Sequence, residues 1–334
     1  MNTRHTAALL TAAFATLSAA AEPPPRAPDA TPPSASPPAP REGRIDLRPK
    51  WELSQVVRYS MKQTSDQQTP NADDPADPHK SRLEQTIGLK MTAKAVDATT
   101  GEATVEIVYE SVKAKLDSPL ATVDFDSTKL PPKGPKSPAP SAPRDPFDQI
   151  DALLADQFKQ MVGTTITMKV ARDGRIISTS GGESLAPTML PGMTAPGAEA
   201  MKQLGGLIGP ITTNTSPGFD GLARVGDRWT HHDQLNVGPI GGLDLATTYD
   251  LRTHTAGTAK VYFKGHADGN RSSGLPLPVG LDSADHSGTY AWDTRRGQLI
   301  RCEFEQKVTM SGSLTGGKPA TATTAVVIER IDKK

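Results

Sequence analysis

The chain has 334 residues with 37 basic and 37 acidic side chains, so its formal net charge at pH 7 is zero. This balance implies no electrostatic attraction to nucleic acid or to an anionic membrane surface, and we expect no nucleic acid as a partner. Hydrophobic residues make up 36% of the chain and aromatic residues 4%. These fractions are low, but the length still allows one domain with a buried core.

The first 21 residues have the pattern of a cleavable export signal. Arg4 precedes an apolar run from Ala7 to Leu17, and the small residues at 19–21 satisfy a cleavage rule. The apolar run is about 11 residues long, whereas a membrane-spanning helix needs roughly 20. A membrane anchor is the alternative interpretation. We expect residues 1–21 to be a signal peptide, no transmembrane segment to remain after cleavage, and the mature protein to be periplasmic or secreted.

Proline-rich segments divide the remaining chain. Residues 22–44 are rich in proline, alanine and serine, with almost nothing to bury, and are predicted to form a disordered tether. A single β-rich domain is predicted over residues 45–331. Polar, proline-containing insertions at 65–80 and 131–145 are predicted to be flexible parts of this domain.

Several segments alternate apolar and polar residues, which is typical of half-buried antiparallel strands. These segments contain Val57-Tyr59-Met61, Val105-Ile107-Tyr109, Ile166-Met168-Val170, Thr247-Tyr249-Leu251, Tyr290-Trp292, Ile300-Cys302-Phe304 and Thr324–Ile331. The predicted fold class is mainly β (α+β): a curved antiparallel sheet or partial barrel built from two similar halves, with one or two helices between or across them.

The two halves are predicted over residues 45–184 and 220–331. When Gly101 is aligned with Gly257, Ala103, Val105 and Ile107 match Ala259, Val261 and Phe263, and a tryptophan opens each half at Trp51 and Trp229. These matches favour an internal repeat. The alternative is that unrelated antiparallel hairpins share the same simple pattern.

Two helices are predicted. Asp145-Pro146 suits a helix start, apolar residues recur at helical spacing up to Met161, and Gly163 suits a helix end. A weaker pattern over residues 198–208 lies in a predicted helical connection at 185–215.

No catalytic arrangement emerges. The loop Gly312–Lys318 resembles a phosphate-binding loop, but Pro319 stands where serine or threonine would bind magnesium. Five histidines at 231, 232, 254, 266 and 286 lack the short spacing of zinc ligands. We therefore predict no catalytic residue, no cofactor and no metal site, and we interpret the single cysteine, Cys302, as a buried packing residue.

Methionines are concentrated in the middle of the chain, and their flexible thioethers suit an adaptable apolar surface. We predict ligand-binding roles for Met189, Met193, Met201 and Leu204. An ordinary core is the alternative interpretation of the same residues. The partner expected from this surface is an apolar small molecule, a lipid or an envelope protein.

Two motifs resemble those of an uncharacterised family of secreted bacterial domains: Val225-Gly-Asp-Arg-Trp229 and Gly288-Thr-Tyr-Ala-Trp292-Asp293-Thr-Arg-Arg-Gly297. The resemblance implies structural roles for Trp229, Trp292, Asp293 and Gly297, and carries no catalytic residue. The chain is also similar, at the level of fold alone, to curved-sheet carriers of bacterial envelopes that shield lipids under helices.

The function predicted from the sequence is that of a non-enzymatic binding module in the cell envelope, for an apolar or protein ligand. A structural or assembly scaffold and an enzyme with an unrecognised site are the two alternatives.

Overall fold

The computed structural model describes residues 43–71, 77–119, 122–129, 155–156, 158–181, 221–236, 242–269, 280–311 and 318–332. These residues form fourteen strands, a 3-10 helix at Ser127–Lys129, and a helical turn at 155–156 and 158–161. The strands are β1 Ile45–Asp46, β2 Val56–Thr69, β3 His79–Val96, β4 Ala103–Asp117, β5 Thr122–Asp126, β6 Thr165–Val170, β7 Ile176–Gly181, β8 Leu222–Ala223, β9 Arg228–Asn236, β10 Gly242–Thr255, β11 Thr258–Gly269, β12 Gly280–Asp293, β13 Gln298–Ser311 and β14 Ala320–Arg330.

One antiparallel sheet of 12 strands dominates the fold. Its order is β7-β6-β4-β3-β2-β14-β13-β12-β11-β10-β9, with β5 paired to the far end of β4, while β1 and β8 form a separate two-stranded sheet. The last strand of the chain, β14, pairs with the first long strand, β2. In the part of the chain that is described, the edge strands β7 and β9 do not pair with each other, so the sheet is open. The prediction of a mainly antiparallel β fold is confirmed.

The sheet is strongly curved. Strands β6 and β12 are six strand positions apart, which in a flat sheet corresponds to about 29 Å. Nevertheless Met168 of β6 and Trp292 of β12 line the same cavity of ≈ 30 Å³. The sheet therefore bends until side chains from both of its halves meet, and the surface they share is called the inner face below.

The inner face holds the core and the outer face meets solvent. Burial alternates along the strands, as it must when successive side chains point to opposite faces. On β4, for example, Ala103, Val105 and Ile107 are buried. The outer face carries ion pairs such as Lys94–Glu106 at 2.9 Å, which are exposed and contribute little to stability.

The insertion predicted at 65–80 is wrong in its bounds. Residues 65–69 continue β2, and residues 79–80 begin β3, with Thr69 paired to His79. The reason is that the inner positions Ser65, Gln67 and Thr69 are polar, so the alternation of apolar and polar residues that marks a strand disappears there. The insertion predicted at 131–145 and residues 22–42 of the tether predicted at 22–44 lie outside the described residues.

The alternating strand pattern predicted for Ile300-Cys302-Phe304 also needs correction at Ile300. The pairing of β12 with β13 shifts register so that Trp292 lies opposite Leu299, while Ala291 lies opposite Arg301. A bulge of this kind adds one residue to one strand. Leu299 is therefore the buried residue, and Ile300 is only half-buried.

The helical turn at 158–161 packs Phe158 and Met161 against the core. The start of this predicted helix and the whole of the weaker helix, with the connection at 185–215, lie outside the described residues.

The internal repeat stays a prediction. Gly101 and Gly257 both lie in hairpin turns, between β3 and β4 and between β10 and β11. Val105 and Val261, which the alignment matches, are both fully buried. Equivalent burial is also expected of unrelated hairpins, so it does not distinguish duplication from similar geometry.

The β12–β13 hairpin is fixed by Asp293 and Gly297. Asp293 Oδ1 accepts hydrogen bonds from the backbone N–H groups of Arg295 and Arg296 at 3.1 and 3.0 Å, and Oδ2 lies 3.4 Å from Arg330 Nη1. Gly297 has φ of 59°, and a Cβ there would overlap the backbone nitrogen of Lys50. Only glycine meets both demands at low cost.

Asp293 should make stability depend on pH. Burial by itself would raise the pKa of Asp293, but the Arg296 N–H and the Arg330 guanidinium outweigh it, and the pKa lies below its ordinary value. A lowered carboxyl pKa stabilises the fold above the unfolded-state pKa of about 4, and this stabilisation is lost as the pH falls through the folded-state value. We expect Asp293→Asn to be less stable than wild type at pH 7, and the difference to shrink below about pH 4. Urea unfolding from pH 7 to pH 3 tests this, and a difference that stays constant would contradict it.

Candidate binding site on the inner face

The inner face is built from rows of side chains that run across the strands, because residues paired in register lie side by side on the same face. The first of these rows, called the core row, is apolar and buried along its whole length. It consists of Leu251, Val261, Tyr290, Cys302, Ile328, Met61, Ile87 and Val112, on β10, β11, β12, β13, β14, β2, β3 and β4. This row is the centre of the core, and its side chains have almost no contact with solvent.

Cys302 is a member of the core row, as predicted from its strand position. It is a buried free thiol, and burial raises its pKa to about 12. Because the thiolate is the reactive form of cysteine, this residue is a packing residue and not a nucleophile.

The next row is aromatic. It runs from the edge strand β9 to β13 through Trp229, Tyr249, Phe263, Gly288 and Phe304. Trp229 stacks on Tyr249 with 5.5 Å between ring centroids, and Phe263 lies 6.0 Å from Tyr249 and 6.4 Å from Phe304. Tyr249 and Phe263 are buried, whereas Trp229 and Phe304 at the two ends are only half-buried. The aromatic row is therefore accessible at its ends.

Gly288 is what brings the aromatic rings together. A Cβ at this position would overlap the carbonyl oxygen of Glu303 and lie 2.7 Å from the ring of Phe263. The missing side chain lets Phe263 of β11 extend across β12 towards Phe304 of β13. The glycine is thus required by close approach and not by its backbone angle.

Beyond the aromatic row lies a polar row. It consists of Ser65, Thr324, Gln306, His286, Thr247 and His231, on β2, β14, β13, β12, β10 and β9, with Gly265 of β11 between His286 and Thr247. Ser65, Thr247, Thr324 and Gln306 are buried, with 1%, 2%, 7% and 8% of their surfaces exposed. His231 and His286 are half-buried. A band of polar side chains, four of them buried, therefore crosses the inner face next to the aromatic row.

Hydrogen bonds join neighbours in the polar row. The hydroxyl groups of Ser65 and Thr324 are 3.1 Å apart, and His286 Nε2 is 3.1 Å from Thr247 Oγ1. The second bond joins β12 to β10 across the intervening strand β11. Gly265 of β11 makes this bond possible, because a Cβ there would overlap the His286 ring. The His286 ring also packs 5.9 Å from Phe263, so the polar and aromatic rows are in contact.

The row beyond the polar row is made of small apolar side chains on β11 to β14 and continues to Gln67 on β2. Val308 of β13 and three alanines, Ala267, Ala284 and Ala322, are buried in it. Each is two residues along its strand from a member of the polar row or from Gly265. On β10 to β14 the polar row therefore has apolar neighbours on both sides, whereas Ser65 on β2 lies between the buried Gln63 and Gln67.

The residues predicted to bind a ligand, Met189, Met193, Met201 and Leu204, lie outside the described residues. Four residues were assigned structural roles. Trp229 is the second residue of β9 and belongs to the aromatic row, and Trp292 is 2% exposed in the core. Asp293 and Gly297 form the hairpin described above.

The histidines are distributed over both faces. His231 lies on the inner face, whereas His232 is exposed on the outer face, as expected for adjacent residues of a strand. His254 and His266 are also exposed, and His266 Nδ1 pairs with Asp285 at 2.7 Å. Within the described residues, no group of three or more histidine, cysteine, aspartate or glutamate side chains has the arrangement of a metal site.

No helix among the described residues is both long enough and apolar enough to cross a membrane. In comparisons with known proteins, no family model matches the chain and no curated protein matches it.

Three solved structures show distant likenesses to this chain. A structure of lipovitellin, described for its lipid–protein interactions, is 13% identical with a TM-score of 0.42; the match covers 85% of this chain but only 26% of the lipovitellin chain. An outer membrane channel from Pseudomonas putida F1 is 8% identical, covers 88% of this chain and 100% of its own, and has a TM-score of 0.23. OpdQ of Pseudomonas aeruginosa is 9% identical, with coverages of 84% and 99% and a TM-score of 0.18. Every TM-score is below 0.5, so the function proposed below rests on the geometry of this chain.

Proposed function

We propose that this chain is an exported, non-enzymatic binding protein of the cell envelope that holds an apolar ligand on the inner face of its curved sheet. The observation that carries the proposal is the aromatic row. It lies next to the buried core row on the inner face. Its terminal rings, Trp229 and Phe304, pack against the core but are only half-buried. Aromatic side chains with one accessible face are efficient contacts for apolar groups.

The distribution of charge supports the same proposal. Ionised side chains near the aromatic and polar rows, such as Lys264, Glu305 and Lys307, point to the outer face and are exposed. An apolar ligand on the inner face would therefore displace water without stripping solvent from charged groups, which is the costly step in burying polar surface.

The cavity between the halves of the sheet is not the proposed site. It is lined by residues including Trp51, Tyr59 and Trp292, and its volume of ≈ 30 Å³ accommodates about two water molecules. A lipid-sized ligand has to lie on the accessible end of the inner face, where the aromatic row ends.

Native mass spectrometry of the protein purified from its source, followed by solvent extraction, tests the proposal. We expect a bound apolar molecule that the solvent removes. Trp229→Ala should lower the bound fraction, while Leu53→Ala, a change at an exposed apolar residue, should leave it unchanged. Circular dichroism checks that both variants are folded.

Two other results would contradict the proposal. An empty monomer that co-purifies with envelope proteins would favour the scaffold alternative. Hydrolytic turnover that is abolished by one histidine or aspartate substitution would favour the enzyme alternative.

A further inference from the structure

The polar row is an unusual feature for a buried face, because polar groups lose water when they are buried and need replacement hydrogen bonds. An apolar side chain at these positions would avoid that cost, and the flanking rows are apolar or aromatic on β10 to β14, whereas Gln63 and Gln67 flank Ser65 on β2. The described side chains of these neighbouring rows carry no charge: Tyr249, Phe263 and Phe304 on one side, Val308 and the alanines on the other.

The hydrogen-bonding capacity of the Ser65–Thr324 pair exceeds the one bond between its two hydroxyl groups. A hydroxyl group has one donor and two acceptor positions, and a glutamine side chain has two donors and an acceptor oxygen. The Ser65–Thr324 bond uses one of the two hydroxyl hydrogens in that pair. Gln306 lies between this pair and His286, so the row presents donors and acceptors side by side over several strands.

The chemistry of the row selects against charge. Its six members include no carboxylate, lysine or arginine, and His286 is engaged with a neutral hydroxyl group at 3.1 Å. A charged ligand group placed here would lose its water without gaining a counter-ion, which is strongly unfavourable. A neutral group such as a hydroxyl, an ester or an amide would exchange its hydrogen bonds with water for hydrogen bonds with the row.

We propose that the polar row recognises the uncharged polar group of an amphipathic ligand, whose hydrocarbon part lies on the neighbouring aromatic row. This inference rests on the proposed function and deepens it by naming the ligand class: neutral amphipaths, such as monoacylglycerols or fatty alcohols, and not fatty-acid anions. The two rows are close enough for one ligand to reach both, because His286 contacts both Thr247 of the polar row and Phe263 of the aromatic row.

The test compares a monoacylglycerol with the fatty acid of the same acyl chain, each displacing a fluorescent apolar probe from the mature protein at pH 8. At this pH the fatty acid is ionised. The monoacylglycerol should displace the probe at an at least about tenfold lower concentration, a ratio that corresponds to roughly one hydrogen bond.

Variants assign the selectivity to the row. Thr247→Val and Thr324→Val keep the side-chain shape and remove a hydroxyl group, and either should reduce the ratio to within about threefold. The matched control is Thr248→Val on the exposed outer face of the same strand, which should keep the wild-type ratio. Two polar-row variants are used because either one alone could fail to fold, and far-UV circular dichroism identifies such a failure.

The remaining outcomes separate the two proposals. Equal or tighter binding of the fatty acid would overturn the assignment of the polar row and leave the proposed function standing. Folded variants that are less stable but keep the wild-type ratio would show that the row is structural, and would overturn the assignment as well. A probe that does not bind at all would refute the proposed function itself.

Discussion

Replacing Trp292 with alanine should lower the free energy of unfolding by roughly 3–5 kcal/mol. Trp292 is 2% exposed and lines the cavity between the halves of the sheet, so its removal enlarges a void that the curved sheet cannot easily collapse. Urea denaturation followed by far-UV circular dichroism measures the effect. An unchanged midpoint would show that Trp292 is not part of the core.

Trp292→Phe is the control for this prediction. Trp292 Nε1 is buried and has no hydrogen-bond partner among the described residues, so phenylalanine removes volume without breaking a hydrogen bond. We expect this variant to lose less than about 1.5 kcal/mol. A loss as large as that of the alanine variant would mean that the indole N–H, and not the ring volume, stabilises the fold.

The second large effect is expected at Gly288. Valine at this position would overlap the Glu303 carbonyl and separate the rings of Phe263 and Phe304, and we expect a destabilisation of about 1–3 kcal/mol. Ser287→Val is the matched control, because Ser287 is exposed on the other face of the same strand and valine suits a strand. It should stay within about 0.5 kcal/mol of wild type.

Gly288→Val should also weaken probe binding, since it distorts the row that is proposed to contact the ligand. Thermal unfolding and probe titration are measured on the same samples. Wild-type stability in Gly288→Val would contradict the close packing of the aromatic row.

Sequence patterns predicted the parts of the fold that depend on local chemistry. The structural roles expected of Asp293 and Gly297 belong to these parts, because an aspartate that accepts neighbouring N–H groups and a glycine with positive φ form a turn regardless of the rest of the chain. The strands around Val57 and Val105 were also evident, because apolar and polar residues alternate there. The second half of β2 was missed because Ser65, Gln67 and Thr69 are polar on the inner face as well.

The candidate site depends on register between distant strands, which single-sequence patterns do not contain. Ser65 and Thr324 are neighbours although 259 residues separate them, and nothing in either local segment indicates the other. Trp229 was assigned a structural role from its motif, but its place at the end of the aromatic row follows only from the pairing of β9 with β10. The glycines at 265 and 288 resemble ordinary strand glycines until the side chains that cross them are known.

The central claim is that an apolar ligand contacts the accessible end of the aromatic row. Fluorescence quenching by a brominated acyl ligand tests this claim directly, because bromine quenches the fluorescence of indole rings only at short range. We expect saturating ligand to quench the fluorescence of the wild-type protein. Trp229→Phe should remove most of the quenchable fluorescence, whereas Trp51→Phe, which changes a residue at the cavity, should retain the quenchable fluorescence. Bound ligand whose quenching is unaffected by Trp229→Phe would contradict the claim.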